Sequence, residues 1–307
     1  MGEGVLVFAP VPVLTVTIEQ QVEAVELHLH PGGQGVWQAR MISALGSPVT
    51  LCAALGGETG EALTKLIEDE DLTLRAVRRS GDSGWYVHDR REGQRREIAA
   101  APGVPLARHD LDELYNLALA EGLKSAVAVL SGPADPSVVA ADVYRRLAMD
   151  LAGNGVRIVA DLSGAYLDAV AGAGVAVLKV SHEELLDHGR AASDALDDLV
   201  EAGHRLKGEG AGTVLVSRAE EPALAFFDDR VMLVRVPPLQ VVEHRGAGDS
   251  MSAGVAAVLA RGGSIEEAVR TGAAAGALNV TRHGLGTGRA EAIAELVPRV
   301  ELEPLQR

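Results

Sequence analysis

Arg-Gly-Ala-Gly-Asp-Ser, residues 245–250, places small residues and one carboxylate where a helix is predicted to begin. After it, apolar residues recur at the i, i+4, i+7 and i+8 spacing of one helix face, and a Gly-Gly pair at 262–263 ends the pattern. Free backbone N–H groups and the positive end of the helix dipole would meet at Gly246, Ala247 and Gly248. Without side chains in the way, a phosphate can approach this backbone closely. Such a turn is typical of a phosphoryl-transfer site.

The carboxylate of Asp249 does not itself help to bind a phosphate. It fits the site if it accepts the proton of a hydroxyl group that attacks phosphorus. Arg245 directly precedes the turn and is the cation best placed to meet developing phosphoryl charge, since arginine can contact phosphate through two bonds. The alternative is an ordinary glycine-rich helix entry with an aspartate in the first turn, which the helix dipole favours anyway. The six residues alone do not separate these two interpretations.

The composition indicates a globular protein that acts on small molecules. The 307 residues are 47% hydrophobic, which is enough for a substantial core, and the net charge of −15 argues against nucleic acid or an anionic membrane as partner. The single cysteine, Cys52, cannot form an intramolecular disulfide and is expected to be buried as a small apolar side chain. The first residues lack the basic start of a signal peptide, and no apolar run reaches membrane-spanning length. We therefore expect a cytoplasmic protein.

Apolar strands alternate with helices along most of the chain, which predicts an α/β fold with a mostly parallel sheet covered on both faces. Two stretches depart from this rhythm, at about 11–30 and 84–98, and we interpret both as strands of a small β lid. The prediction is a single domain over residues 1–307. Its main strands are predicted at 5–9, 49–55, 126–130, 156–160, 175–178 and 213–216, its helices at 36–45, 60–69, 138–152 and 193–207, an edge hairpin at 223–236 and a capping box at 264–267.

Several common nucleotide-binding motifs are missing. No G-x-x-x-x-G-K-[ST] loop occurs, and Gln38 and Met251 stand where a G-x-G-x-x-G fingerprint would need its third glycine. A Walker-type NTPase and a Rossmann dehydrogenase are therefore unsupported. His28 and His30 fall on one face of a predicted strand, where a solvated or substrate-facing pair is favoured over a metal site.

Taken together, six segments resemble the PfkB (ribokinase-like) carbohydrate kinases, in the order in which that family carries them. The resemblance covers essentially the full length of the chain and is closest to the phosphofructokinase and tagatose-phosphate kinase branch. The matching segments are 31–35 with Ala39 (first family signature), 131–133 (the S-G-S-L-P turn), 161–164 (D-x-S-G), 179–185 (K-P-N-x-x-E-L), 245–254 (second signature, with G-A-G-D) and 284–288 (the late nucleotide-side loop).

The resemblance implies a ribokinase-like three-layer α/β/α domain with a β lid. It also implies phosphorylation of a hydroxymethyl group on a sugar, sugar phosphate or sugar-like small molecule, with ATP and Mg²⁺. It makes Asp249 the general base and the 246–248 backbone the donor of N–H groups to the transferred phosphoryl group. Glu184 would help to place Mg²⁺ through water. The substrate side would include Gly32, Gly33, Gln34, Trp37, Thr15 and Ser131, and the nucleotide side Lys179, Ser181, Ser217, Gly248 and Gly286.

The acceptor side departs from the family pattern. Gln34 replaces the lysine of G-G-K-G-x-N, and Trp37 replaces its asparagine. Thr15 stands where N-P-x-x-D has its aspartate, and on the nucleotide side Ser181 replaces the asparagine of N-x-x-E. The identity of the phosphate acceptor is therefore left open. A catalytically weakened PfkB-fold sensor of a metabolite or nucleotide is the alternative to a kinase.

Trp37 and Trp85 are the only two tryptophans in the chain. Trp37 either fills the core or forms a stacking wall of the substrate pocket, and we favour the wall, joined by Trp85 from the lid, because both fall in substrate-facing segments. The arginines at 90, 91, 95 and 96 are interpreted as a solvated lid face rather than a phosphate clamp. The exposed strand edges of a lid favour a homodimer formed through it.

Overall fold

A ten-stranded sheet forms the centre of the molecule and a four-stranded sheet stands beside it. The computed structural model describes residues 2–21, 24–93, 95–240, 242, 245–281, 286 and 288–305. The strands are β1 (Val5–Phe8), β2 (Val13–Gln20), β3 (Val25–Gly32), β4 (Val49–Leu55), β5 (Thr73–Arg78), β6 (Ser83–Asp89), β7 (Arg96–Gly103), β8 (Val127–Ser131), β9 (Arg157–Asp161), β10 (Val177–Ser181), β11 (Thr213–Arg218), β12 (Glu221–Phe226), β13 (Val231–Arg235) and β14 (Glu301–Pro304). The helices within these residues are α1 (Gln34–Ala44), α2 (Gly57–Glu68), α3 (Arg108–Gly122), α4 (Ala141–Gly153), α5 (Gly164–Val170), α6 (His182–Asp187), α7 (Leu196–Gly208), α8 (Ala247–Ala260), α9 (Ile265–Asn279) and α10 (Ala290–Leu296).

The large sheet has the order β14-β13-β12-β11-β10-β9-β8-β1-β4-β5. Its strands from β11 to β5 in this order are parallel, and β12, β13 and β14 extend one edge in antiparallel pairing. Because all the parallel strands run the same way, their carboxyl ends meet along one edge of the sheet.

Side chains of the central strands alternate between two hydrophobic cores, as a sheet buried on both faces requires. In β1, Leu6 and Phe8 join the cluster beneath α3, α4, α5 and α7, whereas Val5 and Val7 join the cluster beneath α1, α8, α9 and α10. Cys52 is buried in the first cluster, as predicted, and burial raises the pKa of its thiol to about 12. The predicted ribokinase-like class, a large mostly parallel sheet between helices with a smaller sheet, is confirmed.

The small sheet has the order β3-β2-β6-β7 and carries both stretches that were predicted to form the lid. The pairing of β2 with β6 is parallel, and its outer pairs are antiparallel. Leu14 and Trp85 on one face of this sheet pack with Leu55 and Leu63 of the main body. The inclusion of the whole chain in a single domain stays a prediction.

Several elements differ from the sequence-based expectation. β5, α3, α5, α6 and β14 were not predicted, because these elements are short or show mixed polar and apolar residues without a clear period. At the predicted capping box, Ser264 accepts a hydrogen bond from the Glu267 N–H group, whereas a fully reciprocal box is formed by Ser181 and Glu184. No helix in the described part of the chain combines the length and the apolar character needed to cross a membrane.

Candidate active site

The carboxyl ends of four neighbouring parallel strands bring functional side chains together. Strand β8 ends at Ser131 beside Asp161 of β9, and β10 ends at Ser181 beside Ser217 of β11. In open α/β sheets, ligands bind beyond this edge. A cavity of about 1290 Å³ opens here, and its wall includes both Asp161 and Asp249.

Helix α8 begins at this cavity in the way that its sequence predicts. Gly246 has a left-handed backbone (φ 74°), which glycine adopts without strain, and the helix starts at Ala247. Asp249 lies in the first turn and lines the cavity, as does the exposed Arg245 just before the helix. A side chain at Gly248 would meet Lys179, since an added Cβ atom would lie 2.9 Å from its Cε atom and closer still to its ammonium group. The lysine charge therefore lies directly against the glycine turn.

The carboxyl group of Asp249 has an unusual proton affinity. Desolvation raises its pKa to about 7, and the nearby negative charge of Asp161 adds to the rise. The Lys179 ammonium and a hydrogen bond from Gln34 act in the opposite direction. The pKa of this carboxyl group therefore lies close to neutral pH.

Asp161 is the centre of a buried polar network. Its side chain is 1% exposed, and its Oδ1 atom lies 3.2 Å from the ammonium group of Lys179. Its Oδ2 atom accepts hydrogen bonds from Ser252 Oγ at 2.7 Å and from Gln38 Nε2 at 2.9 Å. Burial alone would lower the pKa of Lys179, but the charges of Asp161 and its acidic neighbours raise it above the usual value. Lys179 therefore carries its positive charge at neutral pH.

Two members of the network, Gln38 and Ser252, were not predicted as site residues. Gln38 is fully buried on α1, and Ser252 is fully buried on α8, one turn after Asp249. The position of Gln38 in the sequence could have indicated its role, because it follows Gln34 by one helical turn and is flanked by apolar residues. A glutamine at such a position faces the same side as its i−4 neighbour.

The predicted substrate-side residues divide into two groups. Gly33, Gln34, Trp37 and Trp85 line the cavity. The cavity wall formed by the described residues does not include Thr15, Gly32 or Ser131. The Thr15 hydroxyl is buried without a hydrogen-bond partner and lies against Gly32, where an added Cβ atom would overlap it. Ser131 is fully buried and donates a hydrogen bond to Gln38 Oε1.

Among the predicted nucleotide-side residues, Lys179, Ser181 and Ser217 lie on β10 and β11, whereas Gly286 lies against α1 beside Trp37. Glu184 lines the cavity, and its Oε2 atom accepts the Ser181 N–H group at 2.7 Å. The Ser217 carbonyl oxygen lies 3.3 Å from His182 Nδ1. Gly286 has a left-handed backbone and donates its N–H group to Asn279 Oδ1 at 3.2 Å. In the late loop, Gly284, Leu285 and Thr287 lie outside the described residues.

The lid contributes further residues to the cavity wall that were not assigned to the site, among them Tyr86, His88, Arg95 and Glu97. The Arg95 guanidinium lies 5.0 Å from the centre of the Tyr86 ring. The predicted solvated arginine face is therefore divided, since Arg91 pairs with Asp89 at 2.7 Å while Arg95 faces the cavity. No sequence motif marks Tyr86, His88 or Arg95 as a residue of the cavity wall.

His28 and His30 stack on each other in the lid, with ring centres 6.0 Å apart. His28 Nε2 lies 3.2 Å from a Glu26 carboxylate oxygen. Over the ranges that the structure describes, no group of three or more His, Cys, Asp or Glu side chains is arranged to hold a metal ion.

The fold defines the class of protein. Phosphofructokinase-2 from Escherichia coli, in a crystal structure with potassium, superposes with a TM-score of 0.84 and 25% identity, over 97% of this chain and 99% of that chain. An Arabidopsis thaliana ribokinase complexed with ribose and ATP shares the fold, with a TM-score of 0.73 and 20% identity, over 97% and 99% of the two chains. The molecule thus belongs to the class of proteins with the ribokinase-like fold.

The sequence comparisons identify the family. The model of the pfkB family carbohydrate kinases matches residues 12–292, so the chain belongs to that family, as its motifs predicted. A 1-phosphofructokinase of Bacillus subtilis is 29% identical over 278 residues, which are 90% of this chain and 89% of the relative. The ATP-dependent 6-phosphofructokinase isozyme 2 of Escherichia coli is 30% identical over 258 residues, which are 83% and 82% of the two chains. Nothing in these comparisons favours a metabolite sensor.

Proposed function

We propose that this protein is an ATP-dependent kinase that phosphorylates a hydroxymethyl group of a sugar phosphate. Kinases of its family use ATP, and the relatives described above are named as phosphofructokinases. The observation that carries the proposal is Asp249, a cavity-lining carboxyl group in the first turn of α8 with a pKa of about 7. A carboxyl group with this proton affinity is suited to general base catalysis at neutral pH.

In the proposed reaction, the acceptor hydroxyl group attacks the γ-phosphorus of ATP and gives its proton to Asp249. The bond from this phosphorus to the bridging oxygen of ADP breaks, so ADP leaves as the phosphate ester forms. Backbone N–H groups of Gly246, Ala247 and Gly248 would bind the charged equatorial oxygens. Arg245, which lines the cavity, and the buried Lys179 ammonium would add positive charge beside the same turn.

Magnesium fits the residues of the nucleotide side. This ion is usually bound through one or two carboxylates together with waters and substrate phosphates, rather than by a cage of protein ligands. Glu184 supplies a carboxylate at the cavity, with Oε2 fixed by the Ser181 N–H group. We propose that Glu184 holds the ion through water. When bound, the ion would neutralise charge on the ATP phosphates.

The acceptor side of the cavity suggests how a phosphorylated sugar would be held. The lysine of the family signature is replaced by Gln34, but Arg95 of the lid faces the cavity and supplies a cation. We propose that Arg95 binds the phosphate already present on the acceptor. Trp37 and Trp85 would form the apolar part of the acceptor wall.

The lid sheet also supports the proposal of a homodimer. Val25, Leu27 and Leu29 alternate along β3 and are 47–62% exposed, so they form an apolar stripe on one face of the sheet. A second copy of the chain would bury this stripe. Light scattering of the wild type and of Leu27→Asp tests the proposal: the expected masses are dimer and monomer, and a monomeric wild type would contradict it.

An ADP-release assay with Mg-ATP tests the function. The acceptor panel contains fructose 1-phosphate, fructose 6-phosphate and tagatose 6-phosphate beside unphosphorylated sugars and nucleosides. We expect turnover with at least one sugar phosphate, lost in Asp249→Asn. Tight binding of panel members without any turnover would contradict the proposed activity.

A further inference from the structure

A chain of buried hydrogen bonds runs from the end of β8 to the lysine beside the 246–248 turn. The hydroxyl of Ser131 donates to Gln38 Oε1, and Gln38 Nε2 donates to Asp161 Oδ2 at 2.9 Å. Ser252 Oγ donates to the same Oδ2 atom at 2.7 Å, while Lys179 Nζ donates to Oδ1 at 3.2 Å. The two oxygens of Asp161 therefore have different partners: neutral donors hold one, and the other holds the ammonium group.

The orientation of Gln38 follows from the chemistry of its neighbours. Amide NH₂ groups and ammonium groups can only donate, so Asp161 accepts from both Gln38 and Lys179. With its NH₂ group on Asp161, the Gln38 amide must turn its oxygen toward the Ser131 hydroxyl. The side chains of the chain are all buried, from 0% exposed for Gln38 to 6% for Lys179. In such surroundings a polar network whose members are paired holds them rigidly.

The chain ends at the anion site proposed for the transferred phosphoryl group. Lys179 lies against Gly248, where an added Cβ atom would overlap its ammonium group. The cavity wall formed by the described residues includes neither Gln38 nor Ser252, so both act at a distance from the substrate. We infer that Gln38 and Ser252 are positioning residues, which fix Asp161 so that it keeps the Lys179 ammonium group beside the turn. This inference rests on the proposed function, because it gives the two residues a role in that same reaction.

The arrangement of donors explains how this positioning works. Without donors at Oδ2, the Asp161 carboxyl group can turn about its Cβ–Cγ bond, and the ammonium group that it holds moves with it. Groups that act on a reacting centre must be held to within about 0.5 Å, and hydrogen bonds from supporting residues provide that precision. Losing either donor should therefore lower the rate of the reaction more than the affinity for the acceptor.

The experiment compares Ser252→Thr with Ser252→Val in steady-state kinetics, with Mg-ATP and the preferred sugar phosphate. The two side chains have nearly the same volume, so any overpacking affects both, and only threonine keeps the hydroxyl donor. The kcat of Ser252→Val should be about tenfold to a hundredfold below that of Ser252→Thr, with acceptor KM values within about threefold of each other. Gln38→Met also removes a donor from Oδ2 and should lower kcat in the same way.

Equal kcat values in Ser252→Thr and Ser252→Val would overturn the inference. So would a raised acceptor KM with unchanged kcat, because it would mean that residue 252 affects substrate binding. If the larger side chains prevent folding, Ser252→Ala and Gln38→Met are compared with the wild type, and an unchanged kcat in both would refute the inference equally.

The route through the lysine is tested by repeating the comparison in Lys179→Met. This substitution should itself lower kcat by about 10²- to 10³-fold, and an unchanged kcat would overturn the inference. In this background Ser252→Thr and Ser252→Val should differ by less than about twofold, because the ammonium group to be positioned is gone. An undiminished difference would also overturn it, since Ser252 would then act through helix α8. If Lys179→Met does not fold, Asp161→Asn is added to remove the unpaired carboxylate, and the same small difference is expected.

Tyr144→Phe is the matched control, because it removes a buried hydrogen bond next to the chain but none within it. The Tyr144 hydroxyl donates to the backbone carbonyl oxygen of Ser131 at 2.7 Å. The variant should unfold at a lower temperature and keep kcat within about threefold of the wild type. A loss of kcat equal to that of Ser252→Val would overturn the inference, because any lost hydrogen bond would then have the same effect. A wild type that phosphorylates no acceptor would instead refute the proposed function itself.

Discussion

A methyl group at Gly248 tests whether the lysine charge and the glycine turn act together. In Gly248→Ala the new Cβ atom would lie 2.9 Å from Lys179 Cε and closer to Nζ, so the ammonium group must withdraw. The end of a lysine side chain can move, and we expect the overpacking to cost about 1–2 kcal/mol of folding free energy. The effect on the reaction should be larger, because removing one preorganised group at an anion site lowers kcat by about 10²- to 10³-fold.

The assay is ADP release at saturating Mg-ATP and acceptor, with thermal unfolding of the same samples. Gly208→Ala is the control, since Gly208 ends α7 with open space around its added Cβ atom. It should leave kcat unchanged. Full kcat in Gly248→Ala with unchanged unfolding would refute the proposed contact between Lys179 and the turn. A loss of kcat that only parallels a loss of folded protein would refute a specific role in catalysis.

Three further predictions address the proton affinity, the core and the cavity wall. The pKa of Asp249 is raised from 3.8 to about 7, so between these pH values the folded state holds a proton that the unfolded state releases. The group therefore lowers the stability of the fold as pH rises through that window. Asp249→Asn should raise the unfolding temperature more at pH 8 than at pH 5, and an equal change at both would contradict the shift. Gly203→Ala places a Cβ atom no more than 2.5 Å from three ring carbons of Phe226, so urea unfolding should show a loss of about 1–3 kcal/mol, which a wild-type midpoint would exclude. Trp37→Ala should raise the acceptor KM at least about tenfold, as loss of a stacking wall implies, whereas a destabilised variant with unchanged acceptor KM would assign Trp37 to the core.

The fold and the glycine turn that begins helix α8 were predictable because both follow local rules. Helix α8 begins one residue after Gly246, as the glycine turn and the apolar spacing behind it indicate. Strands β1, β4 and β8 are buried on both faces and therefore appear as continuous apolar runs. Lid strands were recognisable by their alternation of polar and apolar residues.

The polar network was not predictable, because its members come from distant parts of the chain. Gln38 bonds Asp161 across 123 positions, and Ser252 bonds the same carboxylate across 91. A glutamine or serine in a helix is normally assigned to the solvent side, and only the folded sheet edge shows the buried acceptor. The same holds for Arg95. It stands among arginines that were expected to be solvated, and only the folded lid shows that it faces the cavity.

The central claim is that Asp249 removes the acceptor proton, and a single-turnover experiment tests it most directly. Enzyme in excess over radiolabelled Mg-ATP is mixed with saturating sugar phosphate, and the rate of phosphate-ester formation is compared between the wild type and Asp249→Asn. General base catalysis contributes about 10²- to 10⁴-fold, so the variant should be slower by that factor while it binds ATP with wild-type affinity. A variant that forms the ester within about threefold of the wild-type rate would contradict the claim.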